Sequence, residues 1–280
     1  MPKRLPRART LKGEPKLAHY DSGGGTAGEA PIVLLHGATL RSEDWENVFP
    51  RLATRYRVVA YDARGHGKSG RATEYGLRAL IEDLGRILDV AAAPAIVIGH
   101  SVGGAAAYAL QSNAPERFKA LILEDPLLAQ YGSWRLDYYR ALSAILEKQG
   151  DPAALKAAVA RLHLPAPGPK GERTVGEVRG FYSPERMAMY FADVDRRFAD
   201  GFQKDKEGAK LLAGATLKVP TLLLTADPKQ TALAEGEDEK LAASGDVTVV
   251  RFPGVSHRIH GTRPEPFLEA LEPFLRKHRA

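Results

Sequence analysis

The chain has 280 residues, of which 44% are hydrophobic and 26% charged, with a net charge of +6 and no cysteine. That length suits one core domain carrying an insertion, and the lack of cysteine excludes disulfides, thiol catalysis and cysteine-ligated metals. Part of the positive excess sits at the ends (Lys3, Arg4, Arg7, Arg9, then Arg276, Lys277, Arg279) with no aromatics interleaved, which argues for solvated tails and against nucleic acid.

Residues 11–21 read as two short extended pieces around Gly13-Glu14, an antiparallel hairpin on a sheet edge. A glycine-rich loop, 22–28, leads to Ile32-Val33-Leu34-Leu35, an unbroken apolar strand of the kind buried on both faces of a parallel sheet. It ends in His36-Gly37-Ala38-Thr39. A second strand, Val58-Val59-Ala60-Tyr61, runs into the glycine-rich segment 62–70. Leu77, Leu80, Ile81, Leu84, Ile87 and Leu88 then form a one-sided stripe at helical spacing. A strand over 95–98 and a helix from Ala105 follow. Further strands are predicted at 121–123, 221–224 and 247–252, with a last helix over 265–277. Alternating strands and helices predict a parallel sheet covered on both faces, with ligands beyond the carboxyl ends of the strands.

Between the 95–98 strand and its helix lies Gly99-His100-Ser101-Val102-Gly103-Gly104. A strand that becomes a helix within about one residue strains the backbone at the bend. Glycines two positions either side remove the Cβ atoms that would clash there. The bend lifts the Ser101 hydroxyl above the sheet and aims the Val102 N–H at the same space, so a nucleophile and an oxyanion donor come from one turn. The plainer alternative is a glycine-rich turn whose serine caps a helix.

His36-Gly37, the D-x-R-G-x-G-x-S run beginning at Asp62, the G-H-S-V-G-G segment and Pro253-Gly254-Val255-Ser256-His257 occur in an order that resembles the α/β-hydrolase superfamily. The resemblance covers about residues 15–126 and 216–278. It implies an α/β fold with an eight-stranded, mostly parallel sheet, a nucleophile–acid–histidine triad and an oxyanion hole made by the N–H groups of Ala38 and Val102. The core would span 1–126 and 218–280, with 127–217 inserted as a helical cap. It also implies that His257 is the general base. His260, three residues on, is the alternative, and otherwise packs or hydrogen-bonds at a helix start; His36, His66 and His100 shape loops.

The acid is harder to place. Many members of the superfamily carry it nine residues past the proline that opens the seventh strand, which here is Pro220, and position 229 is a lysine. Lysine cannot stabilise an imidazolium. Three carboxylates remain: Asp125 at the end of the sixth strand, Asp227 two residues before the usual slot, and Glu124. Strand alternation sends Glu124 and Asp125 to opposite sides, so only one of those two can face His257.

From 127 to 217 the alternation stops. Trp134, Tyr138 and Tyr139 form one aromatic group; Phe181, Tyr182, Tyr190, Phe191, Phe198 and Phe202 form another. Most such side chains pack a cap against its core, but an aromatic roof over a serine also makes an apolar acyl or aryl pocket. Trp45, Trp134, Tyr138 and Tyr190 are the substrate-binding candidates. The expected activity is a cofactor-free, metal-free serine hydrolase of small apolar or aryl esters or lactones. C–C bond hydrolysis and perhydrolysis would use the same triad, and a hydrolase-fold small-molecule receptor is the non-enzyme alternative. Dehalogenase and epoxide hydrolase chemistry would need a carboxylate where Ser101 stands. With no apolar N-terminal run and no spanning segment, a cytoplasmic location is expected, without membrane or nucleic-acid partners and with a homodimer left open.

Overall fold

The computed structural model describes residues 5–92, 94–128, 133–162 and 183–280, the side chains of 133–136 excepted. Eight strands, β1 (Arg9–Leu11), β2 (Leu17–Asp21), β3 (Ile32–Leu35), β4 (Val58–Tyr61), β5 (Ala95–His100), β6 (Phe118–Glu124), β7 (Thr221–Thr225) and β8 (Val247–Arg251), form one sheet. Their order is β1-β2-β4-β3-β5-β6-β7-β8. The β1–β2 hairpin pairs antiparallel to β4, and every pairing from β4 to β8 is parallel.

The helices are α1 (Phe49–Leu52), α2 (Leu77–Ala91), α3 (Val102–Asn113), α4 (Ser133–Leu146), α5 (Pro152–Ala160), α6 (Pro184–Ala192), α7 (Arg197–Gln203), α8 (Lys206–Gly214), α9 (Glu237–Ala242), α10 (Ile259–Thr262) and α11 (Pro264–His278). The alternating residues of the central strands sort into two cores. Val33, Leu35, Val97, Leu121, Leu123 and Leu223 meet the stripe of α2 (Leu77, Leu80, Leu84, Ile87, Leu88) and the slim alanine face of α3. Ile32, Leu34, Ile96, Ile98, Ile122, Leu222 and Leu224 meet α1 and the Phe267, Leu271, Phe274 and Leu275 face of α11. Two buried faces explain why the strands read as continuous apolar runs.

Helices α4–α8 fall within 127–217 and continue the α2/α3 core through Tyr139, Leu142, Phe191, Phe198 and Phe202. Polar ties seat them. The Asp195 N–H donates to the Gly65 carbonyl (2.7 Å), the Tyr75 hydroxyl donates to Asp195 (2.6 Å), and Asp205 accepts the otherwise orphaned Leu77 N–H that starts α2 (2.7 Å). Phe181 and Tyr182 lie outside the described residues.

Candidate active site

Ser101 sits between β5 and α3 with φ 55° and ψ −120°, a conformation that costs a non-glycine residue on the order of 1–3 kcal/mol. The surroundings enforce it. Its N–H donates to the Glu124 carbonyl (3.1 Å), and its carbonyl accepts from Ala105 (3.0 Å) and Leu127 (3.1 Å). The flanking glycines are sterically required. A Cβ on Gly99 would stand 2.7 Å from Gly104, and one on Gly103 would stand 2.7 Å from the His36 carbonyl oxygen. Val102 is the first residue of α3, so its N–H is one of those a helix leaves unpaired at its start.

The loop after β3 crosses the same space. A Cβ on Gly37 would be 3.3 Å from the Ser101 Cβ and 2.7 Å from His100 Nδ1. Thr39, just past Ala38, has φ 61°, unusual for a β-branched residue. Two buried histidines hold it there. His36 Nε2 accepts from the Ala63 N–H (3.0 Å), which puts its proton on Nδ1, facing the Gly37 carbonyl (2.8 Å). His66 Nε2 accepts from the Thr39 N–H (3.2 Å), and its Nδ1 donates to the Arg64 carbonyl (2.9 Å). Burial lowers the pKa of both, that of His66 to about 3, so each stays neutral in one tautomer.

His257 follows β8, and its Nδ1 pairs with Asp125 Oδ2. Asp125 lies one residue past β6 at φ 42° and is fully buried. Its carboxylate also accepts from the Ala226 N–H (3.2 Å), the Ala232 N–H (2.9 Å) and the Thr231 hydroxyl. All three donors come from the segment after β7. With Nδ1–H committed to Asp125, the imidazole keeps a lone pair on Nε2. Its side chain retains 12% exposure, and its backbone carbonyl accepts from His100 Nε2 (3.1 Å).

The other two carboxylates are occupied elsewhere. Asp227 accepts from the Gly254 (2.8 Å) and Lys229 (2.9 Å) N–H groups, and its own N–H donates to the Val255 carbonyl (2.9 Å). It staples the β7 loop to the β8 loop, and those amides hold its carboxyl below the usual range. Glu124 faces the opposite core and takes His260 instead, accepting from its N–H (2.8 Å) and its Nδ1 (2.7 Å). His260 Nε2 lies 3.1 Å from Asp44 Oδ2, and Arg258 Nε donates to Asp44 Oδ1. Burial opposes a charged His260, but Glu124 and Asp44 outweigh it and raise the pKa above the ordinary histidine value.

A profile of the alpha/beta hydrolase family matches residues 32–270. The chain belongs to that family. Lipase LipV of Mycobacterium tuberculosis is 34% identical over 110 residues, 39% of this chain and 42% of LipV. The match thus spans about two fifths of that relative's length. The 2-(acetamidomethylene)succinate hydrolase of Mesorhizobium japonicum is 25% identical over 89% of both chains. The crystal structure of epoxide hydrolase A from Mycobacterium thermoresistibile superposes with a TM-score of 0.76 at 22% identity, over 97% of this chain and 98% of that one. That last likeness is one of fold.

In this family member the aromatic candidates separate. Trp45 is corrected from pocket wall to core. It has no accessible surface, belongs to the α11-side core, and stacks on His260 with centroids 4.0 Å apart. Tyr190, on α6, is buried in the core that the sheet shares with α4–α8; the Arg41 guanidinium lies 4.8 Å above its ring, and Arg41 pairs with Asp193. Tyr138 is half-buried against Tyr139, and the side chain of Trp134 lies outside the described residues. Among the described residues no three His, Asp or Glu side chains converge as a metal site, and no helix is long and apolar enough to cross a membrane. Sequence reading missed Thr231 and the Asp44–Arg258–His260–Glu124 cluster. The second had a signal: a histidine and an arginine within three residues of His257, in a stretch that is otherwise small or apolar.

Proposed function

We propose that this hydrolase is a serine esterase or lactonase acting on small apolar or aryl substrates through an acyl-enzyme. The observation that carries the reading is the His257–Asp125 pair at the end of the sheet where a serine is held at φ 55° on the elbow between β5 and α3. Ser101 Oγ attacks the carbonyl carbon while His257 Nε2 takes its proton. The oxyanion forms against the Ala38 and Val102 N–H groups, each worth about 3 kcal/mol of barrier. Asp125 orients the imidazole and stabilises its charged form. Collapse expels the alcohol, which takes the proton from His257, and a water activated by the same Nε2 releases the acid.

LipV, named a lipase, supports ester chemistry over the 110 residues it matches. The inserted helices of 127–217 serve as the cap, and Tyr138 remains a candidate for its substrate-facing wall. The test is turnover of short p-nitrophenyl esters together with covalent labelling by a fluorophosphonate. Wild-type protein is expected to do both and Ser101→Ala neither; ester turnover persisting in the variant ends the proposal.

A further inference from the structure

His257 stands on a turn whose neighbouring residues are buried and pinned by hydrogen bonds. Asp227 holds residues 254 and 255, Ser256 bonds Thr262 (2.8 Å), and His100 bonds the His257 carbonyl. Beneath the turn, Arg258 and His260 enter a pocket of two carboxylates. Asp44 comes from the 3-10 turn Ser42–Trp45, in the segment that follows the Ala38 loop. Glu124 ends β6, one residue before Asp125. All four side chains are buried, and Trp45 covers the flat face of His260.

A buried ionic cluster is an expensive way to gain stability, because apolar side chains of equal volume often do as well or better. What such a cluster supplies is direction: each bond has one geometry, and slipping leaves a charge unpaired. Here the four groups tie together the three segments that bring Ala38, Asp125 and His257.

We propose that His260, hydrogen-bonded to Glu124 through Nδ1 and ion-paired with Asp44 through Nε2, is a positioning residue for His257. It fixes the turn over residues 253–262 to the end of β6 and to the segment after β3, so that one imidazole reaches Asp125 and Ser101 together. Arg258 is the second arm of the same anchor. Gly261 is part of the fit, since a Cβ there would stand 1.7 Å from Arg258 Nη1 and force the guanidinium off Asp44.

The inference rests on the serine-hydrolase reading, and the experiment separates the two. Active sites of wild type, His260→Gln, Glu124→Gln and Gly261→Ala are counted by fluorophosphonate labelling carried to completion. The kcat per labelled site and the KM for a p-nitrophenyl ester are then measured well below each protein's own melting temperature. The expected result is a per-site kcat reduced about 10- to 100-fold in all three variants, with KM within about twofold. Residues serving packing alone would lower the number of sites or the melting temperature and leave per-site kcat at the wild-type value. That outcome in His260→Gln and Glu124→Gln overturns the proposal. Should His260→Gln fail to fold, the near-isosteric Glu124→Gln decides. A wild type that takes no label sinks the serine-hydrolase reading, and this inference with it.

Discussion

Two histidine–carboxylate pairs lie three residues apart in this chain, joined to the same two elements, and their chemistry is opposite. His257 gives Nδ1 to Asp125 and keeps Nε2 and some exposure. His260 has a carboxylate on each nitrogen and no exposure. An imidazole acts as a general base only while one nitrogen keeps an unshared pair within reach of a substrate. Occupying the second nitrogen favours the charged form and leaves no lone pair free to take a proton. The carboxylates differ in the same way. Besides His257, Asp125 accepts only from neutral donors, whereas Glu124 is ion-paired with His260.

After loss of the nucleophile itself, the sharpest test of this contrast is Asp125→Asn. An amide would hold the wrong imidazole tautomer, so kcat should fall by about 10⁴-fold in a protein that still folds. Glu124→Gln, with its smaller expected loss, is the companion measurement; equal losses from the two would erase the distinction between an orienting and an anchoring carboxylate.

Next in size is the acid stability of the buried neutral histidines. His66 and His100 have folded pKa values lowered to about 3, chiefly by burial, against an unfolded value near 6.5. Between those limits the unfolded chain binds the extra proton. Stability therefore falls as pH falls, by about 1.4 kcal/mol per pH unit for each of the two. His260 has the opposite sign: its raised pKa adds stability that is complete below about 6.5 and is lost as pH rises through the folded value. Urea unfolding of wild type and His66→Gln at pH 4, 5 and 6 reads the first effect. The variant should show a slope shallower by about 1.4 kcal/mol per unit; parallel slopes would mean that His66 already carries its proton in the folded state.

The smallest effect is expected at Asp227. Asp227→Asn weakens the staple between the β7 and β8 loops without touching Asp125 or His257. Stability should drop by about 1 kcal/mol, read as a lower urea midpoint, with kcat within about threefold of wild type. A loss near that of Asp125→Asn would move the acid's role to the β7 loop.

Much of this arrangement is written in short stretches of chain. The apolar runs of β3, β4 and β5 announce a sheet buried on both faces, because successive apolar residues without a polar break point to both sides of a strand. The α2 stripe sits where its spacing puts it. The Gly99-x-Ser101-x-Gly103 bend is local sterics, and Ser101 adopts the positive φ that such a bend demands. Strand alternation also separates Glu124 from Asp125 correctly, since opposite faces of β6 meet different cores. The roles of individual aromatics were not legible: Trp45 follows the oxyanion loop in sequence, but the 3-10 turn carries it under the sheet to His260.

The amino-acid order by itself determined the elbow, the layered sheet and the small set of histidines and carboxylates able to serve it, because those depend on steric and hydrophobic rules acting over a few residues. Only the tertiary structure decided that Asp125 meets His257 across 132 residues while Glu124 meets His260 across 136. Partner choice over such distances is set by where β6, β7 and β8 pack and by which backbone donors their loops bring to each carboxylate, and no local pattern in the chain encodes that.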